Sequence, residues 1–184
     1  YNPDFSLGFN NSFTYKNFSL SFLVDWKQGG TLISRTKQVG TYAGNLESSV
    51  DRNAYKDIVP DGVKEVNGQY VPLTDADAVG WWAYYKPLYN RKSHQETGIV
   101  DATYVKLREV KFGYNVPTTL VEKLGMESIR VSLVGRNLAL WTPSSNPHFD
   151  PETLALQGSN IVPGIEDVSY PSARSYGINF LFKF

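Results

Sequence analysis

The sequence has no cysteine and only two histidines in 184 residues. A disulfide framework, a thiol nucleophile and a thiolate metal site are therefore excluded. The histidines, His94 and His148, lie in regions predicted to be loops, and no zinc-protease, nucleophile-elbow or phosphate-loop motif surrounds them. We therefore expect no enzymatic activity, no bound metal and no cofactor.

An excess of charge of one sign is also absent, because 18 basic residues balance 18 acidic ones. A nucleic-acid-binding protein would normally carry a basic stripe, so this class is not expected. The longest nearly unbroken apolar run, residues 78–85, is far shorter than the ~18 residues of a membrane helix. This composition does not exclude a membrane β-barrel, because barrel strands alternate and average to a polar composition.

The first thirty residues alternate between apolar and polar side chains, as a β-hairpin with one apolar face does. The apolar positions are odd in the first run and even in the second: Phe5, Leu7, Phe9, Phe13 and Tyr15, then Phe18, Leu20, Phe22, Val24 and Trp26. A two-residue loop at 16–17 pairs the runs so that both apolar sets share one face. We predict strands over 5–15 and 18–28, each close to the ~9–11 residues of a membrane strand.

Three further strands are predicted, over residues 102–116, 128–141 and 173–184. In the first of these the apolar phase changes near Arg108, which predicts a β-bulge. Between strands, Asn67-Gly68 predicts a small hairpin, and a capping box at 119–122 predicts a short helix. The connections are two residues at 16–17, about seventy at 29–101, about eleven at 117–127 and about thirty at 142–172.

Alternation alone fits both a soluble β-sandwich and the wall of a membrane barrel. Long and short connections alternate here, however, as they do in outer-membrane barrels, and the polar face carries small, polar and basic residues that suit a wetted lumen. Aromatic residues mark the strand ends, as in the two girdles of a barrel: Trp26 and Trp141 at the long-loop ends, Tyr15 and Tyr114 at the short-turn ends. These features favour the barrel.

Five strands cannot close a membrane barrel, which needs about eight, and an open edge in lipid leaves backbone groups unsatisfied. The expected fold is therefore all-β: the last five antiparallel strands of a large transmembrane barrel, incomplete on its own. Tyr1 opens directly into strand-like sequence, which also indicates either a removed signal or a start within something larger. The alternatives are a soluble β-sandwich carbohydrate-binding or adhesion module and a passive porin.

A series of motifs is distributed over the whole chain. They are Asn2-Pro-Asp-Phe5 with Gly8 to Tyr15, Asp25 to Gly30, Asp61 to Lys64 with Asn67-Gly68, Tyr104 to Tyr114 with Pro117, Ile129 to Leu138 with Trp141, Asp150-Pro-Glu152, and Tyr170-Pro171 with Arg174. Together they resemble the C-terminal end of the SusC/RagA group of TonB-dependent outer-membrane transporters. The combination is highly specific, although each single piece is weak.

The resemblance implies a plugged barrel of about 22 strands in the outer membrane of a Gram-negative bacterium. The chain would supply the last five strands, with extracellular loops at 29–101 and 142–172 and periplasmic turns at 16–17 and 117–127. Members import glycans or oligopeptides with energy from TonB, usually beneath a SusD-like surface lipoprotein that acts as a lid. The implied partners are the remaining barrel and plug, that lipoprotein, the TonB complex acting through the plug, the substrate, and lipid with lipopolysaccharide.

An aromatic cluster lies in the longer loop: Trp81, Trp82, Tyr84 and Tyr85. Aromatic faces stack on sugar rings and anchor protein interfaces, so the cluster is a candidate for substrate or partner contact. The competing interpretation is that these rings form the loop's own core.

Four loop carboxylates are the other candidates: Asp75, Asp77, Asp150 and Asp167. Carboxylates can ligate calcium together with backbone carbonyls, but no EF-hand spacing is present. We therefore expect these side chains to be solvated.

The resemblance also implies an assembly signal, because Phe184, with Phe180 and Phe182, ends the last strand on its apolar face. Deleting Phe184 from the full-length protein should lower its abundance in the outer membrane, since a terminal aromatic residue is read by the assembly machinery. Immunoblotting of the outer-membrane fraction measures this effect. Normal abundance of the truncated protein would contradict the prediction.

Overall fold

The computed structural model describes residues 1–49, 58–90, 94–146, 149–153, 155–157 and 160–184, so His148 lies outside the described residues. The strands, in chain order, are β1 Phe5–Tyr15, β2 Phe18–Gln28, β3 Thr31–Ser34, β4 Val63–Val66, β5 Gln69–Pro72, β6 Ile99–Asp101, β7 Tyr104–Asn115, β8 Ser128–Trp141, β9 Ala155–Gln157, β10 Asn160–Val162, β11 Ile165–Glu166 and β12 Ser175–Lys183. The α-helices are α1 Arg35–Ala43, α2 Trp81–Leu88 and α3 Thr118–Val121. Short 3-10 helices cover Glu47–Ser49, Asp75–Asp77, Gln95–Gly98 and Glu122–Leu124.

The chain divides into two compact units. The first, which we call the sheet unit, comprises Tyr1–Thr31, Asp101–Thr153 and Tyr170–Phe184. The second, the loop unit, comprises Leu32–Val100 and Leu154–Ser169. None of the helices in the described part of the chain has the length and hydropathy of a membrane span.

The sheet unit is built on one five-stranded antiparallel sheet in the order β1-β2-β7-β8-β12. The predicted all-β fold with five antiparallel strands is confirmed. The sheet does not close on itself, because β1 and β12 lie at opposite ends of this order. It is therefore a segment of a sheet, as expected for part of a barrel wall.

The register of the first hairpin is the one that the apolar alternation predicts. Tyr15 lies opposite Phe18, and the apolar positions Phe13 and Phe9 lie opposite Leu20 and Val24. The two-residue turn needs a left-handed residue, which is Lys16 with φ +52°. Both apolar sets consequently share one face.

The predicted bulge is present in β7. Leu107 lies opposite Val24, whereas Glu109 lies opposite the adjacent Leu23, so Arg108 is the additional residue on this strand. This insertion keeps the apolar positions of β7 on one face on both sides of the phase change. In β8, facing the bulge, Asn137 takes a left-handed conformation with φ +53°.

The apolar face of the sheet is exposed across all five strands. One row, Phe13, Leu20, Phe112, Leu133 and Ile178, crosses the whole sheet, with exposed fractions of 55%, 39%, 43%, 53% and 62%. A soluble protein would cover a contiguous patch of this kind. No described part of the sheet unit covers this row, as expected for the outer side of a barrel wall.

The loop unit contains its own small core, with Leu32, Trp81 and Val100 almost fully buried. The hydroxyl of Ser34 caps helix α1 by accepting a hydrogen bond from the Lys37 amide at 3.0 Å. The strands β4 and β5 form the hairpin predicted at Asn67-Gly68, where both turn residues have positive φ angles, as a type I′ turn requires.

A buried carboxylate ties two distant parts of the loop unit together. Glu166, 1% exposed, accepts hydrogen bonds from the Ser34 hydroxyl at 2.8 Å, the Thr36 amide at 3.2 Å and the Ser169 amide at 3.3 Å. Because the carboxylate lies at the start of α1, its negative charge interacts favourably with the helix dipole and stabilises the helix.

The predicted capping box at 119–122 is wrong, although the short helix exists. Helix α3 begins at Thr118 and its N-cap is Pro117, which makes no side-chain hydrogen bond. Proline sets φ near the helical value, and the helix starts two residues earlier than the box requires. Thr119 consequently lies inside the first turn. The turns end at Gly125, with φ +70°, as the sequence indicates.

We predict that a charge on the exposed apolar face prevents insertion, whereas the same charge on the opposite face is tolerated. Phe9→Arg in the full-length protein places a guanidinium on the apolar face in the middle of β1, and such a charge costs about 2–4 kcal/mol at the centre of a bilayer. Asn10→Arg is the matched control, since Asn10 is the next residue of the strand and so lies on the opposite, polar face. Heat-modifiability on gels reports folded outer-membrane protein. Equal folded yields for the two variants would contradict the orientation of the sheet.

Candidate functional site

The most concentrated chemistry in the sheet unit is a group of five charged side chains on the polar face. Lys106 and Arg108 belong to β7, Asp25 belongs to β2, and Asp150 and Glu152 follow β8 in the chain. We call these five residues the ion network. It lies toward the end of the sheet where the two long connections begin.

Lys106 and Asp150 form the buried centre of the ion network. Their side chains are only 5% and 4% exposed, and Lys106 Nζ lies 2.6 Å from Asp150 Oδ2. The same Nζ lies 2.7 Å from Glu152 Oε2. Burying charge is costly, and a pair is tolerated when short charge-assisted hydrogen bonds replace the lost water. The two carboxylates supply those bonds to the ammonium group.

Arg108 forms the second half of the ion network. Its Nη1 donates to Glu152 Oε2 at 2.8 Å, and its Nη2 donates to the other Glu152 oxygen, a two-bond pairing with one carboxylate. The guanidinium Nε donates to Asp25 on the neighbouring strand. Arg108 is the bulge residue, so the extra residue in β7 presents the guanidinium that joins the strand to the loop.

Glu152 is the most connected carboxylate of the ion network. Tyr104 Oη donates to its Oε1 at 2.8 Å, in addition to the bonds from Lys106 and Arg108. Partial burial raises the pKa of the Glu152 carboxyl, but the hydrogen bonds from Arg108, Lys106 and Tyr104 together outweigh it and lower the pKa to about 2. Glu152 is therefore ionised throughout the physiological pH range.

The local chain folds so that both acids point the same way. Asp150 Oδ1 accepts a hydrogen bond from the Glu152 amide at 3.1 Å, and the Asp150 carbonyl accepts one from the Thr153 amide at 2.9 Å. Pro151 lies between the acids, where a fixed φ suits a tight turn. The arrangement fastens the start of the second long connection to the polar face.

The expectation that the four loop aspartates are solvated is wrong for Asp150, which is buried against Lys106. Asp167 lies 2.6 Å from Arg35 and Asp77 pairs with Lys64, but their side chains stay 34% and 19% exposed. Hydrogen bonds from Lys64 and the Thr74 amide lower the pKa of Asp77. The three carboxylates thus have protein cations as partners.

The aromatic cluster of the loop unit lies on helix α2, where its members contact one another. The ring centres of Trp81 and Trp82 are 4.9 Å apart, those of Trp81 and Tyr85 are 5.2 Å apart, and those of Tyr84 and Tyr85 are 5.0 Å apart. Trp81 is 3% exposed, so it packs inside the unit and cannot meet a ligand there. Trp82 is 51% exposed, and Tyr84 and Tyr85 are partly exposed, so the predicted contact is narrowed to these three rings, of which Trp82 is the most exposed.

The predicted girdle residues fall into two rows of the sheet. Trp26 and Trp141 both lie opposite Val105, at the end with the long connections. At the other end, one row contains Tyr15, Phe18, Tyr114, Val131 and Phe180. The rings of Phe180 and Phe182 stack at 6.3 Å, and Phe184 is 80% exposed. Their roles as girdle and assembly signal stay predictions.

Of the ion network, only Asp150 is a site candidate in the sequence, as one of the four loop carboxylates. A usable signal was present, because Lys106 and Arg108 place two cations on the same predicted strand, and the next long loop carries the acids Asp150 and Glu152. Cations on a predicted polar face need counter-charges when they are buried. The two acids of the adjoining loop, Asp150 and Glu152, are the counter-charges that this rule indicates.

We predict that Lys106→Met in the full-length protein releases the start of the second long connection. The substitution leaves Asp150 buried without its cation, and breaking a buried pair costs about 3–5 kcal/mol. Limited proteolysis, with cleavage sites mapped within residues 142–172, measures the release. Arg136→Met is the control, because its pair with Glu109 is exposed and contributes about 0–1 kcal/mol.

A double variant, Lys106→Met with Asp150→Leu, tests whether the unpaired buried charge of Asp150 causes the release. Removing both charges should restore most of the protection, since no buried charge is then unpaired. Equal cleavage of the Lys106→Met and Arg136→Met proteins would contradict a fastening role for the ion network.

Comparison with known proteins gives relatives over nearly the whole chain. No profile of a known protein family matches the sequence. The chain is 29% identical to TonB-dependent receptor P3 of Formosa agariphila over 185 residues, covering 99% of this chain and 16% of that protein. It is 27% identical to TonB-dependent receptor P26 of the same organism over 188 residues, covering 98% of this chain and 17% of that protein.

Solved structures with the same fold come from the RagAB peptide importer. In its 'open-open' state the TM-score is 0.60 at 18% identity, over 100% of this chain and 17% of the compared chain. In its 'closed-closed' state the TM-score is 0.59 at 17% identity, with the same coverage. The chain thus spans about one sixth of the relatives it matches. The chain is thus similar in sequence to one part of TonB-dependent receptors and similar in fold to a segment of the RagAB peptide importer.

Proposed function

We propose that the chain forms part of an outer-membrane active importer of the SusC type in a Gram-negative bacterium. Its five long strands would be wall strands, with the apolar face toward lipid and lipopolysaccharide and the polar face toward the lumen. The observation that carries this proposal is the row of apolar side chains that is exposed across all five strands. Such a face suits hydrocarbon, and the opposite face carries paired charges that suit a wetted interior.

The proposed orientation places residues 29–101 and 142–172 outside the cell and residues 16–17 and 117–127 in the periplasm. Short periplasmic turns and long external loops are the arrangement of outer-membrane barrels. In this orientation the ion network lies at the extracellular end of the lumen wall. It would hold the base of the second external loop against β7, so that the loop has a defined position at the entrance.

Glycans or oligopeptides are the proposed substrates, taken up with energy from TonB through a plug. One supporting comparison is that the solved structures of similar fold belong to a peptide importer, RagAB. A SusD-like surface lipoprotein is the proposed lid over the external loops. The exposed ring of Trp82 is a proposed contact for the substrate or for that lipoprotein, because an exposed indole stacks on sugars and anchors interfaces.

Uptake by the intact bacterium tests the proposal. Cells that produce the full-length protein should take up defined oligosaccharide or oligopeptide mixtures, and uptake should be lost when either this protein or TonB is removed. A passive porin would keep transporting without TonB. A soluble adhesion or carbohydrate-binding module would appear in the detergent-free fraction and leave uptake unchanged. Trp82→Ala in the same assay should lower uptake at normal abundance, with Tyr70→Ala, an exposed aromatic residue on β5, as the control.

A further inference from the structure

Arg130 differs from the other arginines of the polar face in what it contacts. It lies on β8, near the end of the sheet with the short connections, between Asn115 of β7 and Leu181 of β12. Arg108 and Arg136 each pair with a carboxylate. Among the described residues, no carboxylate pairs with Arg130.

The guanidinium of Arg130 is held flat against the sheet by two features of neighbouring strands. Gly113 of β7 leaves room for it, because a Cβ atom at this position would lie 3.0 Å from Nη2 and 3.1 Å from Nε. Ser19 of β2 accepts a hydrogen bond from Nη2 at 2.6 Å. The Ser19 hydroxyl itself faces the Gly113 carbonyl at 3.4 Å, which leaves its oxygen lone pairs for the arginine.

The charge of Arg130 has no compensating acid among the described residues. Arg130 Nε is buried and has no hydrogen-bond partner among the described residues. A guanidinium has five N–H donors and is always protonated, so one hydroxyl satisfies only a small part of it. Positive charge fixed in place on a sheet favours an anionic partner.

A pocket of about 510 Å³ adjoins Arg130 and offers further polar groups. Its lining includes the side chains of Asn115, Thr118, Thr119 and Ser128. Leu181, the one apolar residue on the polar face of β12, also lines it and lies opposite Arg130. A leucine there gives the aliphatic part of the arginine an apolar neighbour and leaves the guanidinium as the charged group of the pocket.

We propose that Arg130, cradled by Gly113 and Ser19, is the centre of a carboxylate-binding site. A planar guanidinium matches a carboxylate through two parallel hydrogen bonds, and the surrounding amide and hydroxyl groups add donors. The inference rests on the proposed function, in which this face lines the lumen. The carboxylate then comes from one of two sources: an acidic side chain of the plug, or an acidic group of the substrate.

A structure of the full-length protein in detergent, determined with and without tetraglutamate, separates the two sources. We expect a carboxylate oxygen about 2.7–2.9 Å from an Arg130 nitrogen. A plug side chain at this distance in the protein alone identifies an internal partner, and density that appears only with tetraglutamate identifies a soluble one. If neither structure places a carboxylate within about 4 Å of the guanidinium, the proposal is overturned. This result does not depend on whether the protein transports anything.

A competitor variant tests the same site independently. Ser19→Asp supplies a carboxylate within the chain at the position of the natural hydroxyl, whereas Ser21→Asp places one two residues along on the same face. Ser19→Asp should displace the plug carboxylate, or weaken tetraglutamate binding at least tenfold, and Ser21→Asp should change binding less than twofold. Equal behaviour of the two variants would overturn the assignment to Arg130.

Discussion

The two-residue period of the long strands is the constraint on which the rest of the structure depends. It places every second side chain on one face, and in this chain those side chains are mostly apolar in all five strands of the sheet, with Asn11 as an exception. The row from Phe13 to Ile178 is exposed and is not covered by the described residues. An open sheet with one such face is stable where hydrocarbon covers the face and further strands continue both edges. The fold and its proposed location thus follow from the same pattern.

The bulge in β7 shows how charge and hydrophobic pattern are made compatible. Without an extra residue at Arg108, the change of phase would turn half of the strand's apolar side chains to the wrong face. With it, Arg108 reaches Asp25 on one side and Glu152 on the other. A correction of register and the anchoring of a long connection therefore depend on one residue. Lys106 lies two residues before Arg108 on the same face. Its ammonium group is buried against Asp150 and strengthens the attachment of the second long connection.

More of the fold than of the candidate site could be predicted from the sequence. Hairpin register and the bulge follow from local order, because only one alignment keeps both apolar sets on one face. The ion network depends on contacts such as Lys106 with Asp150, 44 residues apart, and spacing along the chain does not determine which acid folds back. Trp81 and Trp82 show the same limit. They are adjacent and chemically alike, and only the packing of α2 decides that the first is buried and the second exposed.

The arginine and lysine side chains of the polar face are paired differently at its two ends. In the proposed function this difference bears on what lies in the lumen. Near the long connections, both cations of the ion network pair with acids of this chain. At the other end, Arg130 is fixed by Gly113 and Ser19 but has no acid among the described residues. Fixing an unpaired cation in a precise position costs free energy that the chain does not recover by itself. A partner that brings the missing carboxylate would recover it, which makes the short-turn end of the wall the place where this segment is complementary to something else.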